Sequence, residues 1–148
     1  MRIAHHDPAV VHGRAWLALV ACLALHVADE ATHDFLALYN PIARQIRAAI
    51  PILLLPVFSF RVWLSGLILA VVVLVLLSRF VFAGRPWTYP ASYIFAVFML
   101  LNGLTHMIGS LYSGRLLAGV LSSPFLIVAA VALVWSVPRH GIRQSHGV

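Results

Sequence analysis

Apolar residues run through this chain in four long stretches, separated by short clusters of arginine, proline, glycine and polar side chains. The first begins after Arg14 with Ala15-Trp16-Leu17 and stays uncharged only to Ala28. That is about 21 Å of helix at roughly 1.5 Å per residue, short of a hydrocarbon core of about 30 Å. Apolar character resumes at Phe35-Leu36-Ala37-Leu38-Tyr39, and Pro41 after Asn40 reads as a stop. The pattern therefore predicts one tilted span over about 15–39, carrying the polar cluster His26 to Asp34 inside it.

Residues 41–60 hold Arg44, Arg47, Pro51 and Pro56, and read as an interfacial or re-entrant connector rather than another span. A second helix is predicted over 61–83, where residues 62–78 carry no charge. Gly84-Arg85-Pro86 makes a turn, and a third helix is predicted over 90–112, with Pro90 in its first turn. A fourth is predicted over 116–137, ending at Pro138-Arg139 before a polar tail, 139–148. The expected fold is all-α, a polytopic four-helix transmembrane bundle in a single domain. All four tryptophans, Trp16, Trp63, Trp87 and Trp135, fall at predicted span ends, as an aromatic belt requires.

Composition supports the same class. Charged residues make up 9% of the chain and mean hydropathy is +0.98, against about 25% charged in a soluble domain. The net charge of +6 comes from ten arginines and no lysine. These sit at the ends of apolar runs and form no basic stripe, which excludes a nucleic-acid partner and leaves membrane lipids as the expected one. The side holding both termini carries Arg2, Arg14, Arg79, Arg85, Arg139 and Arg143, and the other Arg44, Arg47, Arg61 and Arg115. This balance places the termini in the cytoplasm. Leu19-Val20-Ala21-Cys22 has the form of a lipoprotein cleavage box, but the apolar stretch from Arg14 is too short for one, and the mature chain is expected to start near Met1. Cys22 is alone, so no internal disulfide forms, and it reads as a packing residue.

The chemistry concentrates in two places. On the first helix His26, Asp29, Glu30 and His33 lie within an arc of about 100° at 3.6 residues per turn. On the third, Asn102 and His106 share a face at i, i+4, with Ser110 one turn on. Both sets fall in the second half of helices running in the same direction, so they lie at similar depth. Acids within a span cost roughly 2.5–3.5 kcal/mol each at mid-membrane, and are functional candidates by default. The plainer readings are a wet collar at 29–34, a pairing of Asp34 or Glu30 with Arg44 or Arg47, and Asn102 as interhelical hydrogen-bond glue. His5, His6, His12, His140 and His146 lie in polar tails and are expected to be solvated.

His26-Val27-Ala28-Asp29-Glu30, followed by Asn102-Gly103-Leu104-Thr105-His106, resembles the HXXEE family of small integral membrane proteins. That family is marked by a His-x-x-Glu-Glu motif, a later Asn-x-x-x-His motif and a tyrosine–proline–glycine signature. Asp29 stands here for the first glutamate, and Arg115-Leu116-Leu117-Ala118-Gly119 keeps only the glycine of the third motif. The resemblance covers residues 15–136 and implies a membrane fold with a polar cluster, without an activity.

Three functions follow from such a site. In the first, His26, Glu30, His33 and His106 ligate zinc or iron in an enzyme acting on a lipid or other apolar substrate, with Asp29 or Asn102 orienting ligands or substrate. Glu30 is the chain's one glutamate, which excludes a carboxylate-rich di-iron site. In the second, Glu30, Asp29, His106 and Asn102 carry metal-free acid–base catalysis, such as isomerisation or cyclisation. In the third, the same groups bind or move ions or protons without catalysis, or serve an accessory role. Ser110, Gly114, Ala118 and Ser122 form a small-residue stripe compatible with a homo-oligomer.

Overall fold

The computed structural model describes residues 7–138 and is all-helical. Its order is α1 (Pro8–Thr32), α2 (Phe35–Ala49), α3 (Phe60–Phe82), α4 (Thr88–Ser113) and α5 (Ser123–Ser136). The tail 139–148, His5, His6, and the terminal arginines Arg2, Arg139 and Arg143 lie outside the described residues. Three helices, α1, α3 and α4, are long and apolar enough to cross a membrane, consistent with an integral membrane protein.

The largest departure from expectation is at the first span. Its helix starts at Pro8, where the Asp7 carboxylate caps the Ala9 N–H at 2.9 Å and proline occupies the first turn. It ends at Thr32, not at Tyr39. The Thr32 hydroxyl turns back onto the Ala28 and Asp29 carbonyls, and His33 Nδ1 donates to the Asp29 carbonyl at 2.8 Å. Such side-chain bonds compete with the helical ladder. Asp34 then takes a left-handed backbone, φ 54°, and redirects the chain. The helix over 35–49 that follows takes in the end of the expected span and the first part of the expected connector, and Pro41 sits inside it instead of stopping it. Residues 50–59 are non-helical and are pinned by Asn40, which donates to the Phe58 carbonyl and accepts from the Phe58 N–H.

The last helix is also shorter than the pattern suggests. Residues 114–122 form a loop, and α5 opens only at Ser123-Pro124. The Ser123 hydroxyl and N–H both donate to the Gly119 carbonyl, at 2.7 and 3.1 Å, closing the turn that starts it.

Helix α1 lies against α3 and α5, and α4 packs on α5. Leu19, Leu126 and Leu133 are fully buried between them. Gly103 lets α4 approach α5 closely, since a Cβ there would stand 2.8 Å from Ile127. By contrast α3 buries only Trp63 and Val81, and leaves Ile68, Leu69, Val72 and Leu76 exposed. An apolar face of this extent belongs against lipid.

Two expectations are corrected inside the core. Trp16 is not an interfacial anchor: it is buried, and its indole N–H donates to the Leu74 carbonyl of α3 at 3.0 Å. His12 is not solvated: it is fully buried and bridges Ser136 of α5 and Ser92 of α4, at 2.9 and 3.0 Å. Both follow from the early start of α1, which carries residues 8–14 into the bundle. Cys22 packs against the core as a small half-buried side chain.

Candidate metal centre

The last turns of α1 place His26 and Glu30 one above the other, as i, i+4 spacing requires. Both are buried. His106 descends from the C-terminal half of α4 to meet them, also buried. Glu30 Oε1 lies 3.0 Å from His106 Nε2 and 3.6 Å from His26 Nε2. The imidazoles meet edge-on, with ring centroids 4.9 Å apart and planes at 80°. Ligating atoms of the three residues lie within 4.8 Å of one another, a buried group that can hold a metal ion.

The loop after α4 supplies the other side of both rings. Gly114, φ 63°, ends α4, and the Ser110 hydroxyl accepts from the Leu117 N–H at 3.0 Å to fold the chain back. Gly119, φ 83°, then passes directly over both histidines. A Cβ at this position would come within 2.9 Å of His106 and of His26. Glycine is required here on both counts, backbone conformation and space.

Donor and acceptor chemistry fixes how each ring is protonated. His106 Nδ1 lies 2.6 Å from the Ala118 carbonyl, which only accepts, so Nδ1 carries a hydrogen and donates it. At His26 the argument runs through Ser122. The Asp29 carboxylate accepts from the Ser122 N–H at 2.9 Å and from the Ser122 hydroxyl at 2.7 Å. With its one proton on Asp29, the Ser122 oxygen must accept from His26 Nδ1, 2.8 Å away. Both rings are therefore held as Nδ1–H, and both turn Nε2 towards one carboxylate oxygen. At His106 the 3.0 Å contact is a hydrogen bond with a proton between Nε2 and Glu30. At His26 no such bond exists: Nε2 is a buried nitrogen without a partner.

This donor set fits a divalent metal. Metal-bound histidines characteristically hold their remote N–H against a carbonyl or a carboxylate-linked group, which fixes tautomer and ring orientation. Ala118 performs that task for His106, and the Asp29–Ser122 pair for His26. Two imidazoles and one carboxylate match both catalytic zinc sites and mononuclear iron sites. A cation would take the lone pair left unused at His26 Nε2 and displace the proton shared by His106 and Glu30, so binding releases a proton and strengthens as pH rises.

Other residues singled out in the sequence sit around this group. His33 is set apart, because α1 ends before it: its side chain is half exposed and pairs with Asp29 Oδ1 at 3.0 Å. Asp29 reaches the centre only through Ser122. Asn102, half-buried one turn from His106, lines a neighbouring cavity. Ser110, Ala118 and Ser122, which read as a helix-approach stripe, are buried within the chain, and each serves the loop or the rings. The parts the sequence does not announce are the Ala118 carbonyl, the Gly119 backbone and the Ser122 hydroxyl. Gly119, and the helix-start signal Ser122-Ser123-Pro124, are the traces that could have located this loop.

Removing the Ser122 hydroxyl frees His26 to rotate and to change tautomer. Ser122→Ala is expected to weaken metal binding by about 10–100-fold, the usual effect of losing such a supporting partner. Asp29→Asn should weaken it less, because an amide still offers Ser122 an acceptor. Competition titrations against a chelating dye measure both, and equal affinity in Ser122→Ala and wild type would show that the hydroxyl orients nothing.

Searches against family models, curated proteins and solved structures give no match to this chain.

Proposed function

We propose that this chain is a polytopic membrane metalloenzyme in which His26, Glu30 and His106 hold one zinc or iron ion and act on an apolar substrate drawn from the bilayer. The observation that carries the reading is the unpartnered, buried Nε2 of His26, aimed with that of His106 at a single carboxylate oxygen. Acid–base catalysis without metal has one feature in its favour, the His106–Glu30 hydrogen bond. It leaves the elaborate fixing of His26 without a purpose, and the metal reading uses all three side chains.

The membrane arrangement we favour has four crossings. Helix α5, at 14 residues, spans only about 21 Å, but the loop 114–122 completes the crossing. Irregular backbone is tolerated at membrane depth where it is buried in protein and its polar groups are satisfied. The bonds from Ser110, Asp29 and His106 to this loop provide that. Four crossings put both termini on one side, and the arginine balance makes that side cytoplasmic. The His26-x-x-Asp29-Glu30 and Asn102-x-x-x-His106 patterns support membership of the HXXEE family as part of the same proposal.

A bound divalent ion would act as a Lewis acid or as an activator of water. The protein's own contribution is to hold two neutral imidazoles at fixed orientation, to keep bulk water from Glu30, and to present Asn102 beside His106 to orient a substrate oxygen.

Elemental analysis of detergent-purified protein tests the reading, with one ion per chain expected. At a free metal concentration about 100 times Kd, the ion should stabilise the fold by about 2.7 kcal/mol, read as a rise in melting temperature that a chelator reverses. A wild-type protein that retains no zinc or iron, and melts identically with and without them, overturns it.

A further inference from the structure

Besides its place among the three candidate ligands, His106 belongs to a second feature: it lines a cavity of about 550 Å³ between α2 and α4. From α2 the lining residues are Phe35, Leu38, Tyr39 and Ile42, a single stripe at i, i+3, i+4 and i+7. From α4 they are Asn102, Thr105, His106 and Gly109, with the same spacing. The two stripes face each other, yet the helices are not packed together along them. Ser113 at the end of α4 and Leu117 of the following loop line the remainder.

Resting on the metalloenzyme reading above, we propose that this cavity is the substrate site, and that its occupant is a single-chain membrane amphiphile with an uncharged oxygen head, a hydroxyl or carbonyl. Four observations fix that class. The volume lies within the roughly 300–1,000 Å³ of small-ligand sites, room for one chain and not for a whole two-chain phospholipid. Apart from the Tyr39 hydroxyl the α2 wall is apolar, and Leu38 and Ile42 are themselves partly exposed, so the cavity opens on the side that lipid would occupy. Among the described residues no arginine or carboxylate lines it, so no side chain is placed to pair with a charged head. Its polar groups lie mostly on the α4 side, and most hydroxyl protons are already committed: Thr105 donates to the Leu101 carbonyl and Ser113 to Ser110, while Tyr39 of α2 donates to Pro56. Asn102 is left to meet a head group, with two donors and an acceptor. Phe35 stands beside His106, ring centroids 5.7 Å apart, where the chain would join the head.

The test uses the full-length protein in phosphatidylcholine nanodiscs loaded with zinc, and a long-chain fatty alcohol bearing a diazirine in its chain. Cross-links mapped by mass spectrometry are expected at Phe35, Leu38, Ile42 and Leu117. Ile42→Trp, which fills the cavity from α2, should reduce that labelling at least about tenfold, a loss equivalent to 1.4 kcal/mol, while zinc stays at one per chain. Leu38→Trp, on the same wall, repeats the measurement in case the first variant fails to fold. Asn102→Ala should abolish the preference for the alcohol over an alkane of equal length.

Labelling spread along the exposed face of α3, or unchanged in both tryptophan variants, would overturn the site. A diazirine fatty acid that labels the cavity better than the alcohol would overturn the uncharged head. Cavity labelling by the alcohol in a protein that retains no zinc would support this site and refute the metal, so the two claims fail separately.

Discussion

Glu30→Ala is expected to bind no stoichiometric zinc or iron while keeping its fold. Glu30 is the residue on which both histidines converge, and its Oε1 is the only carboxylate oxygen in contact with either Nε2 among the described residues. Without it, two neutral imidazoles remain, and a dication would be left with no compensating negative charge in a buried site. The loss should exceed the roughly 10–100-fold that follows removal of a supporting partner. The metal-free variant should be somewhat less stable than metal-free wild type, because His106 Nε2 loses its buried partner and the truncation leaves a cavity, so metal retention is measured below the variant's melting temperature. Glu30→Gln separates charge from shape: it fills the same space and should also fail to retain the ion. Elemental analysis and thermal unfolding in detergent, with and without chelator, check both. A Glu30→Ala protein that keeps one ion per chain would place the metal elsewhere.

Gly119→Ala is expected to damage the same centre without touching a ligand. The methyl group would stand 2.9 Å from each imidazole, on a backbone of φ 83°. Left-handed backbone costs alanine roughly 1–2 kcal/mol. The collision adds to it, since neither ring is free to swing away while Ala118 and Ser122 hold them. Relief requires the loop to retreat, and the loop that retreats is the one carrying those two partners. Both rings therefore lose orientation together, and metal affinity should fall about 100-fold or more, the upper end of what supporting contacts contribute. The helical circular dichroism of the variant should match wild type, because the loop lies outside every helix. Gly114→Ala serves as the comparison. It has a similar positive φ of 63° but nothing near its Cβ, so it should show the backbone strain with metal binding largely intact.

How much of this was legible beforehand differs by element. Helices α3 and α4 run Phe60–Phe82 and Thr88–Ser113, against expected bounds of 61–83 and 90–112, because long uncharged runs between arginine-bearing turns leave little choice. The α1–α2 junction was not legible. Apolar character resumes at Phe35, no proline or glycine marks residues 33–34, and the break is built from Thr32 and His33 hydrogen bonds and a left-handed aspartate. The true start of α1 was written in Asp7-Pro8, and its consequence, burial of His12 and Trp16, follows directly. Likewise Ser123-Pro124 marks the start of α5, which hydropathy alone extends back through the loop to Leu116.

The site divides in the same way. His26 and Glu30 are visible as an i, i+4 pair, and the matching depth of His106 follows from helix direction. Helical periodicity also assigned His33 to that face, and failed where the helix stopped. What supports the rings is a backbone carbonyl, a glycine and a serine hydroxyl from a loop. None of these carries a periodic or charged signature, and each acquires meaning only when the fold places it against an imidazole.

The most direct test of the metal centre is X-ray absorption at the zinc edge of the loaded wild-type protein. The expected first shell contains two imidazole nitrogens at about 2.0–2.1 Å and carboxylate oxygen, with outer scattering from two rings and none from sulfur. A spectrum showing one ring, or a sulfur ligand from Cys22, would contradict the assignment to His26, Glu30 and His106.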